Sequence, residues 1–306
     1  MQTTKPASAS WRHRFLKRLS FLLILGALLA ATLSACTPSQ PAQPSDVISS
    51  SAPASSSSKS VEDYIPEKPP YGDPKAPDKT IADKLSQTFK VGKAYGWLTV
   101  PGTTIDNAVL YSPKNNNVYL DQRVNYDGNW DYSGLIFADF RNNLGNRTEL
   151  KRNTVIYGHN IEVGGSNNGA RFSQLLKYED LEFAKKNQFI TFSTPTDEMV
   201  WQVFATFITD TNFYYIETDP TDDELQFIIS EAFQRSEHMF DVDVTTHDKI
   251  LTLSTCTYKY KGSLGKARED QRFVVMAKLL SPQGTPLPAE VIKNESPKLP
   301  SFVKKQ

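Results

Sequence analysis

Residues 249–258 read Lys-Ile-Leu-Thr-Leu-Ser-Thr-Cys-Thr-Tyr, an apolar, β-branched run that closes on one cysteine before polar sequence resumes. The alternation sets Ile250, Thr252 and Ser254 on one side of a strand and Leu251, Leu253 and Thr255 on the other. Such a strand delivers Cys256 to its end, where the scaffold is rigid and a side chain can still meet a substrate. A small buried residue is the alternative reading, because free cysteine is among the most buried residue types.

Strand-like runs recur through the chain. Residues 94–100, 107–111, 134–138, 153–157, 189–193, 199–209 and 273–280 join the cysteine strand, several bounded by Gly, Pro, Asn or Asp. The pair 189–193 and 199–209 reads as a hairpin through Thr194-Pro195-Thr196-Asp197. Residues 118–120 lead into a polar loop at 125–132. Helical spacing is expected over 80–91, with Thr80 as cap and Ile81, Leu85 and Phe89 in the stripe, and over 170–186. The strongest helix signal is 221–236, where Thr221 and Glu224 form a capping box ahead of Leu225, Ile228, Ile229, Ala232 and Phe233. The expected fold is mainly β with added helices: a closed or nearly closed barrel of about eight strands, an N-terminal helix, and a long helix before the cysteine strand. No GxGxxG or P-loop pattern supports a nucleotide cofactor.

The N-terminus sets the compartment. Arg12, Arg14, Lys17 and Arg18 precede an uncharged apolar stretch over 19–35, the pattern of a secretory signal or membrane anchor. That stretch ends Leu33-Ser34-Ala35-Cys36, which resembles a bacterial lipobox and would make Cys36 the lipidated residue. A plain transmembrane anchor is the other reading, and both place the rest of the chain outside the cytoplasmic membrane. Residues 36–80, rich in Ser, Pro, Ala and Gln, read as a disordered tether. Residues 81–281 would be the folded domain and 282–306 a Pro- and Lys-containing tail outside the core. Lys+Arg and Asp+Glu are equal at 34 each, and no basic run follows the leader, which argues against a nucleic-acid partner. The two cysteines, Cys36 and Cys256, lie in such different sequence that each needs its own explanation.

A nucleophilic cysteine needs a proton acceptor or ion-pair partner and a group that stabilises an oxyanion. The chain has four histidines. His13 lies in the leader, and His238 and His247 lie in polar sequence before the cysteine strand. His159 follows the apolar run 153–157 in Tyr157-Gly158-His159-Asn160, so it too sits at a strand mouth, with Gly158 permitting an unusual backbone angle. Arg272 stands directly before the run 273–279, whereas Arg268 falls inside a polar loop. A guanidinium with fixed donor directions suits an oxyanion or substrate carbonyl. One cysteine and scattered histidines lack metal-ligand spacing.

Thr252-Leu253-Ser254-Thr255-Cys256, Tyr157-Gly158-His159-Asn160 and Arg272 before a Val-rich strand together resemble the sortases, and the 221–236 helix resembles the one that marks class B. The resemblance runs over about residues 81–280 with the motifs in family order. It implies a cysteine transpeptidase (a cysteine peptidase in reaction type) on the cell envelope of a Gram-positive bacterium. Cys256 would be the nucleophile, His159 the acid and base, and Arg272 the oxyanion or substrate-carbonyl ligand. The substrate would be a surface protein with a C-terminal sorting signal of Asn-Pro-x-Thr type, and the acceptor a peptidoglycan cross-bridge or pilin amine. Ser254, Thr255, Asn116 and Leu120 would line the substrate groove, with no cofactor. Thr257 departs from the acidic residue frequent after the cysteine in the family, and the loop with Lys259, Lys261, Gly262 and Ser263 is long and basic. Two other readings are another extracellular cysteine peptidase and a non-enzymatic envelope lipoprotein. The first usually sets its cysteine at a helix start, ahead of the histidine, the reverse of the order here.

Overall fold

The computed structural model describes residues 70–161, 169–261, 266 and 268–303. The expected leader, Cys36, the tether as far as residue 69, and Gly262 and Ser263 lie outside the described residues.

In chain order the elements are α1 (Lys79–Leu85), β1 (Thr88–Phe89), β2 (Gly92–Lys93), β3 (Gly96–Thr99), β4 (Asp106–Tyr111), α2 (Asn117–Leu120), β5 (Phe137–Ala138) and β6 (Asn153–Tyr157). A 3₁₀ segment (Arg171–Glu179), α3 (Leu181–Lys186), β7 (Phe189–Ser193), β8 (Val200–Asp210), α4 (Asp222–Arg235), β9 (His238–Phe240), β10 (Ile250–Cys256), β11 (Gln271–Leu279) and β12 (Val291–Lys293) follow. The barrel is closed in the order β10-β11-β8-β7-β3-β4-β5-β6. It is mainly antiparallel, but β4 pairs with β5 and β6 with β10 in parallel. The expected barrel, with a helix before it and a long one before the cysteine strand, is what forms.

The cysteine strand is buried along both faces, which explains its nearly continuous apolar run. Leu251 and Leu253 join the barrel interior with Ile156, Phe273 and Val275. Ile250 joins a second cluster with Val274, Met276 and the Leu225, Ile228 and Ile229 stripe of α4. Polar residues on that outer face are partnered, as a buried hydroxyl requires: Thr252 Oγ1 donates to Asn153 Oδ1 at 2.7 Å, and the Ser254 and Tyr215 hydroxyls lie 2.7 Å apart.

Several boundaries differ from expectation. The cap of α1 is Asp78, whose Oδ1 accepts from the Ile81 amide at 2.9 Å, rather than Thr80. Residues 118–120 form one helical turn in α2. The single helix expected over 170–186 divides at Asp180, which ends the 3₁₀ segment and caps α3 by accepting from the Phe183 amide. Residues 71–80 are held in place instead of belonging to a free tether: Glu198 N donates to the Lys75 carbonyl at 2.7 Å and Lys75 N to Asp197 Oδ1 at 3.0 Å. The stretch 282–306 also reaches the core, because β12 pairs with β9 and buries Val291.

Candidate active site

Strand register alone brings three sequence-predicted groups together. In the antiparallel β10/β11 pair Cys256 stands opposite Arg272. In the parallel β10/β6 pair the ladder ends with Ser254 opposite Tyr157, and Cys256 and His159, each two residues further on, line the same cleft. Residues opposite one another in a ladder point to the same face, and β6, β10 and β11 are consecutive strands. His159, Cys256 and Arg272 therefore emerge side by side at one end of the barrel, each half-buried. They line one cleft of about 300 Å³, together with Ser254, Thr255, Asn116 and Leu120.

The segment beyond β6 is fastened to the cysteine strand. Thr255 Oγ1 donates to the Gly158 carbonyl at 2.8 Å, and Asn160 Nδ2 to the Cys256 carbonyl at 3.0 Å. Gly158 serves a different purpose from the one expected. Its φ is not positive, and a Cβ there would meet the Phe172 ring at 2.6 Å. Close approach, not an unusual angle, requires the glycine.

His159 Nε2 lies 3.0 Å from the Leu120 carbonyl. A carbonyl can only accept, so Nε2 carries a proton and Nδ1 is the nitrogen left for exchange with a reacting group. Gly134 packs against the same Cδ2–Nε2 edge of the ring: it has φ +59°, and a Cβ on it would meet His159 Cδ2 at 2.6 Å. Burial, and then the positive charge of Arg123, hold the imidazole below its ordinary pKa, against the opposing pull of the Leu120 carbonyl and Asp121.

Arg272 Nη1 donates to the Glu269 and Gln271 carbonyls at 3.0 and 2.8 Å, which fixes the guanidinium at the cleft. Arg268 turns elsewhere, pairing with Asp270 and stacking over Phe302 at 4.4 Å. His238 and His247 do not line the cleft. His238 is buried, with Nε2 2.9 Å from the Tyr178 carbonyl, and His247 is exposed.

Two groove residues already have internal partners. Asn116 Nδ2 donates to Asp139 Oδ2 at 3.1 Å and its Oδ1 accepts from the Phe140 amide at 2.9 Å. Leu120 meets His159 through its carbonyl, while its side chain is exposed. The sequence reading missed the opposite wall, Thr211, Tyr214, Tyr215 and Ile216, in the connection between β8 and α4. Its available signal was the aromatic run Phe213-Tyr214-Tyr215 just past a strand end. Tyr215 is buried against Ser254, and burial pushes its phenol up to about 12, so it remains neutral. Among the described residues no cluster of His, Cys, Asp or Glu could hold a metal ion.

A cysteine beside a histidine and a fixed guanidinium, in a cleft open to a peptide, is suited to acyl transfer. Residues 98–280 match the Sortase domain family. Sortase B of Listeria monocytogenes is 34% identical over 203 residues, covering 66% of this chain and 76% of that protein. Sortase B of Staphylococcus aureus is 34% identical over 186 residues, covering 60% and 69%. A Staphylococcus aureus sortase B–substrate complex superposes with TM-score 0.52 at 30% identity, covering 66% of this chain and 84% of that one. A sortase B complexed with triglycine gives TM-score 0.51 at 30% identity, covering 67% and 84%. A Bacillus anthracis protein described as similar to sortase B gives TM-score 0.52 at 29% identity, covering 69% and 90%. Strand order, cleft chemistry and these likenesses agree: the chain belongs to the sortase family, a family of transpeptidases, and within it to class B.

Proposed function

We propose that this chain is a cysteine transpeptidase that cleaves a sorting signal of Asn-Pro-x-Thr type after Thr and transfers the acyl group to an envelope amine. The observation that carries the reading is the convergence of Cys256, His159 and Arg272 from three consecutive strands into one cleft. The Cys256 thiolate adds to the threonine carbonyl, and the oxyanion that forms is met by the Arg272 guanidinium. As the tetrahedral adduct collapses, His159 Nδ1 gives its proton to the departing amine and a thioester remains on Cys256. An incoming amine then attacks the thioester, His159 takes up the amine's proton, and Cys256 leaves as thiolate. Ser254, Thr255, Asn116 and Leu120 shape the groove, Asn116 held by its bond to Asp139 and Leu120 meeting His159 through its carbonyl. A likeness to a sortase B complexed with triglycine supports an amine-bearing peptide as acceptor, such as a peptidoglycan cross-bridge. A pilin lysine would offer the same chemistry.

The test incubates the full chain with fluorogenic Asn-Pro-x-Thr and Leu-Pro-x-Thr peptides, with and without an amine, and identifies products by mass spectrometry. Cleavage of the Asn-Pro series with an amine-ligated product, lost in Cys256→Ala, supports the reading. Leu-Pro preference moves the substrate class. No cleavage, with Cys256 inert to thiol reagents, points to a non-enzymatic envelope protein.

The lipobox-like Leu33-Ser34-Ala35-Cys36 supports lipidation at Cys36 and residence on the outer face of a Gram-positive cytoplasmic membrane. Lipid labelling that disappears in Cys36→Ala is the expected outcome; an unlabelled wild type would favour a peptide anchor.

A further inference from the structure

One ion pair of a buried carboxylate and a half-buried guanidinium adjoins the cleft, and the chemistry proposed above does not use it. Asp139, just past β5, has no solvent exposure. Its Oδ1 accepts from Arg141 N and Nε at 2.9 and 2.8 Å. Its Oδ2 accepts from Arg141 Nη2 at 3.0 Å, Asn116 Nδ2 at 3.1 Å and the Tyr157 hydroxyl at 2.9 Å. Burial would raise this carboxyl, but the bonds from Arg141, Asn116 and Tyr157 outweigh it and hold the group below the usual carboxylate range. Arg141 directs its remaining donors to the opposite wall: Nη1 to the Tyr214 hydroxyl at 2.6 Å and Nη2 to the Ile216 carbonyl at 2.8 Å.

We propose that Asp139 and Arg141 form a positioning unit that spans both walls of the cleft and sets the separation at which the peptide is gripped. Four residues that the two side chains hydrogen-bond outside their own turn, Asn116, Tyr157, Tyr214 and Ile216, line the cleft, and Arg141 Nη1 also lies 3.7 Å from Glu217 Oε2, next to Ile216. One pair thus ties together four residues of the cleft lining that come from three separate stretches of the chain. The walls also need such a brace. Barrel strands β4 and β8 end at Tyr111 and Asp210, so residues 116–120 and 211–217 stand outside the ladder. The reach extends toward the reacting groups, since Leu120 N donates to the Asn116 carbonyl at 2.9 Å and the Leu120 carbonyl holds His159. Only a planar guanidinium can present one edge to a carboxylate and another to a second wall; an ammonium cannot do both.

This inference rests on the cleft being the peptide groove. The experiment uses the full chain as wild type, Arg141→Lys, Tyr214→Phe and the double variant. It measures kcat and KM on whichever sorting peptide the wild type cleaves, thermal unfolding, and amide hydrogen exchange. Arg141→Lys is expected to raise KM on the order of tenfold, with kcat changed by less than about threefold. Exchange should quicken in 116–120 and 211–217 while β10 and β11 stay protected. Tyr214→Phe should raise KM in the wild-type background and add nothing to Arg141→Lys, because its hydroxyl acts through the guanidinium. An unchanged KM with a lowered melting temperature, or exchange that rises evenly over the barrel, overturns the proposal. If the wild type cleaves no sorting peptide, the functional reading fails by itself, and the exchange pattern alone decides whether the pair braces the walls.

Discussion

Arg272 and Arg268 lie only a few residues apart, one inside β11 and one before it, and the register separates their roles. Arg272 occupies a ladder position opposite Cys256, whereas Arg268 sits before the ladder begins and pairs with Asp270. Arg272→Ala is therefore expected to lower kcat/KM by about 2.7–4 kcal/mol of transition-state stabilisation, as removal of an oxyanion donor does. Arg268→Ala should leave it unaltered, and peptide cleavage by the two variants checks both. For His159 the direction of the pKa shift fixes a pH dependence. The proposed chemistry needs His159 able to take up a proton, so the acid limb of kcat/KM follows the imidazole. Burial and Arg123 hold the imidazole below its usual 6.5, which places that limb on the acid side of 6.5. Removing a neighbouring positive charge favours the imidazolium, so Arg123→Gln should move the limb to higher pH. A limb that stays put would mean that solvent screens Arg123. These three site residues were legible because each ends or begins an apolar run, which is a local property of sequence. The bonds of Asn116 and the place of Tyr215 were not, since their partners Asp139 and Ser254 are distant in the chain.

Short elements carry the precision of the site, and they were the hardest to read. The capping box of α4 is visible in sequence because Thr221 and Glu224 satisfy each other within one turn. The break at Asp180 escaped, because apolar spacing does not separate 3₁₀ from α geometry over so few residues. The turn ending at Gly134 was read only as the start of a strand, yet it forms the back support of the histidine. Arg171 Nε donates to the Gly134 carbonyl at 3.3 Å, holding this turn from the side. A methyl group at 134 meets both penalties at once, a positive φ and an overlap with the His159 ring. Gly134→Ala should then displace the imidazole and lower kcat on the order of a hundredfold, the scale at which small misplacements act. Alkylation of Cys256 by a neutral thiol reagent should persist in this variant, showing that the fold and the nucleophile survive. Wild-type kcat in Gly134→Ala would mean that the ring is located by the Leu120 carbonyl alone.

At the scale of the molecule, chemistry and fastening occupy opposite ends of the barrel. β10 and β11 are antiparallel, so Leu280, just past the end of β11, is far from Arg272 near its start. There the fully buried Arg147 uses five guanidinium donors: Nε and Nη2 to the Asp197 carboxylate, Nη2 also to the Glu198 carbonyl, and Nη1 to the Tyr71 and Leu280 carbonyls. Three stretches distant in sequence, the 71–75 segment, the β7–β8 hairpin turn and the end of β11, meet on that one side chain. This explains why residues 71–80 read as tether from composition: what holds them is contributed by Arg147, Asp197 and Glu198, not by their own sequence. Arg147→Ala leaves a buried carboxylate without its charge partner and should destabilise the domain by about 3–5 kcal/mol. Urea unfolding measures that loss, and limited proteolysis should show 71–75 released. Replacing both members with apolar residues, Arg147→Met with Asp197→Leu, should recover only part of it, because no uncompensated charge remains but the Lys75 and Arg147 amides lose their acceptor. In every variant the cleavage rate per folded molecule should match wild type, since the cleft is built at the other end of the same strands. A rate that fell in proportion to stability would show instead that fastening at the far end is transmitted along β10 and β11 to Cys256 and Arg272.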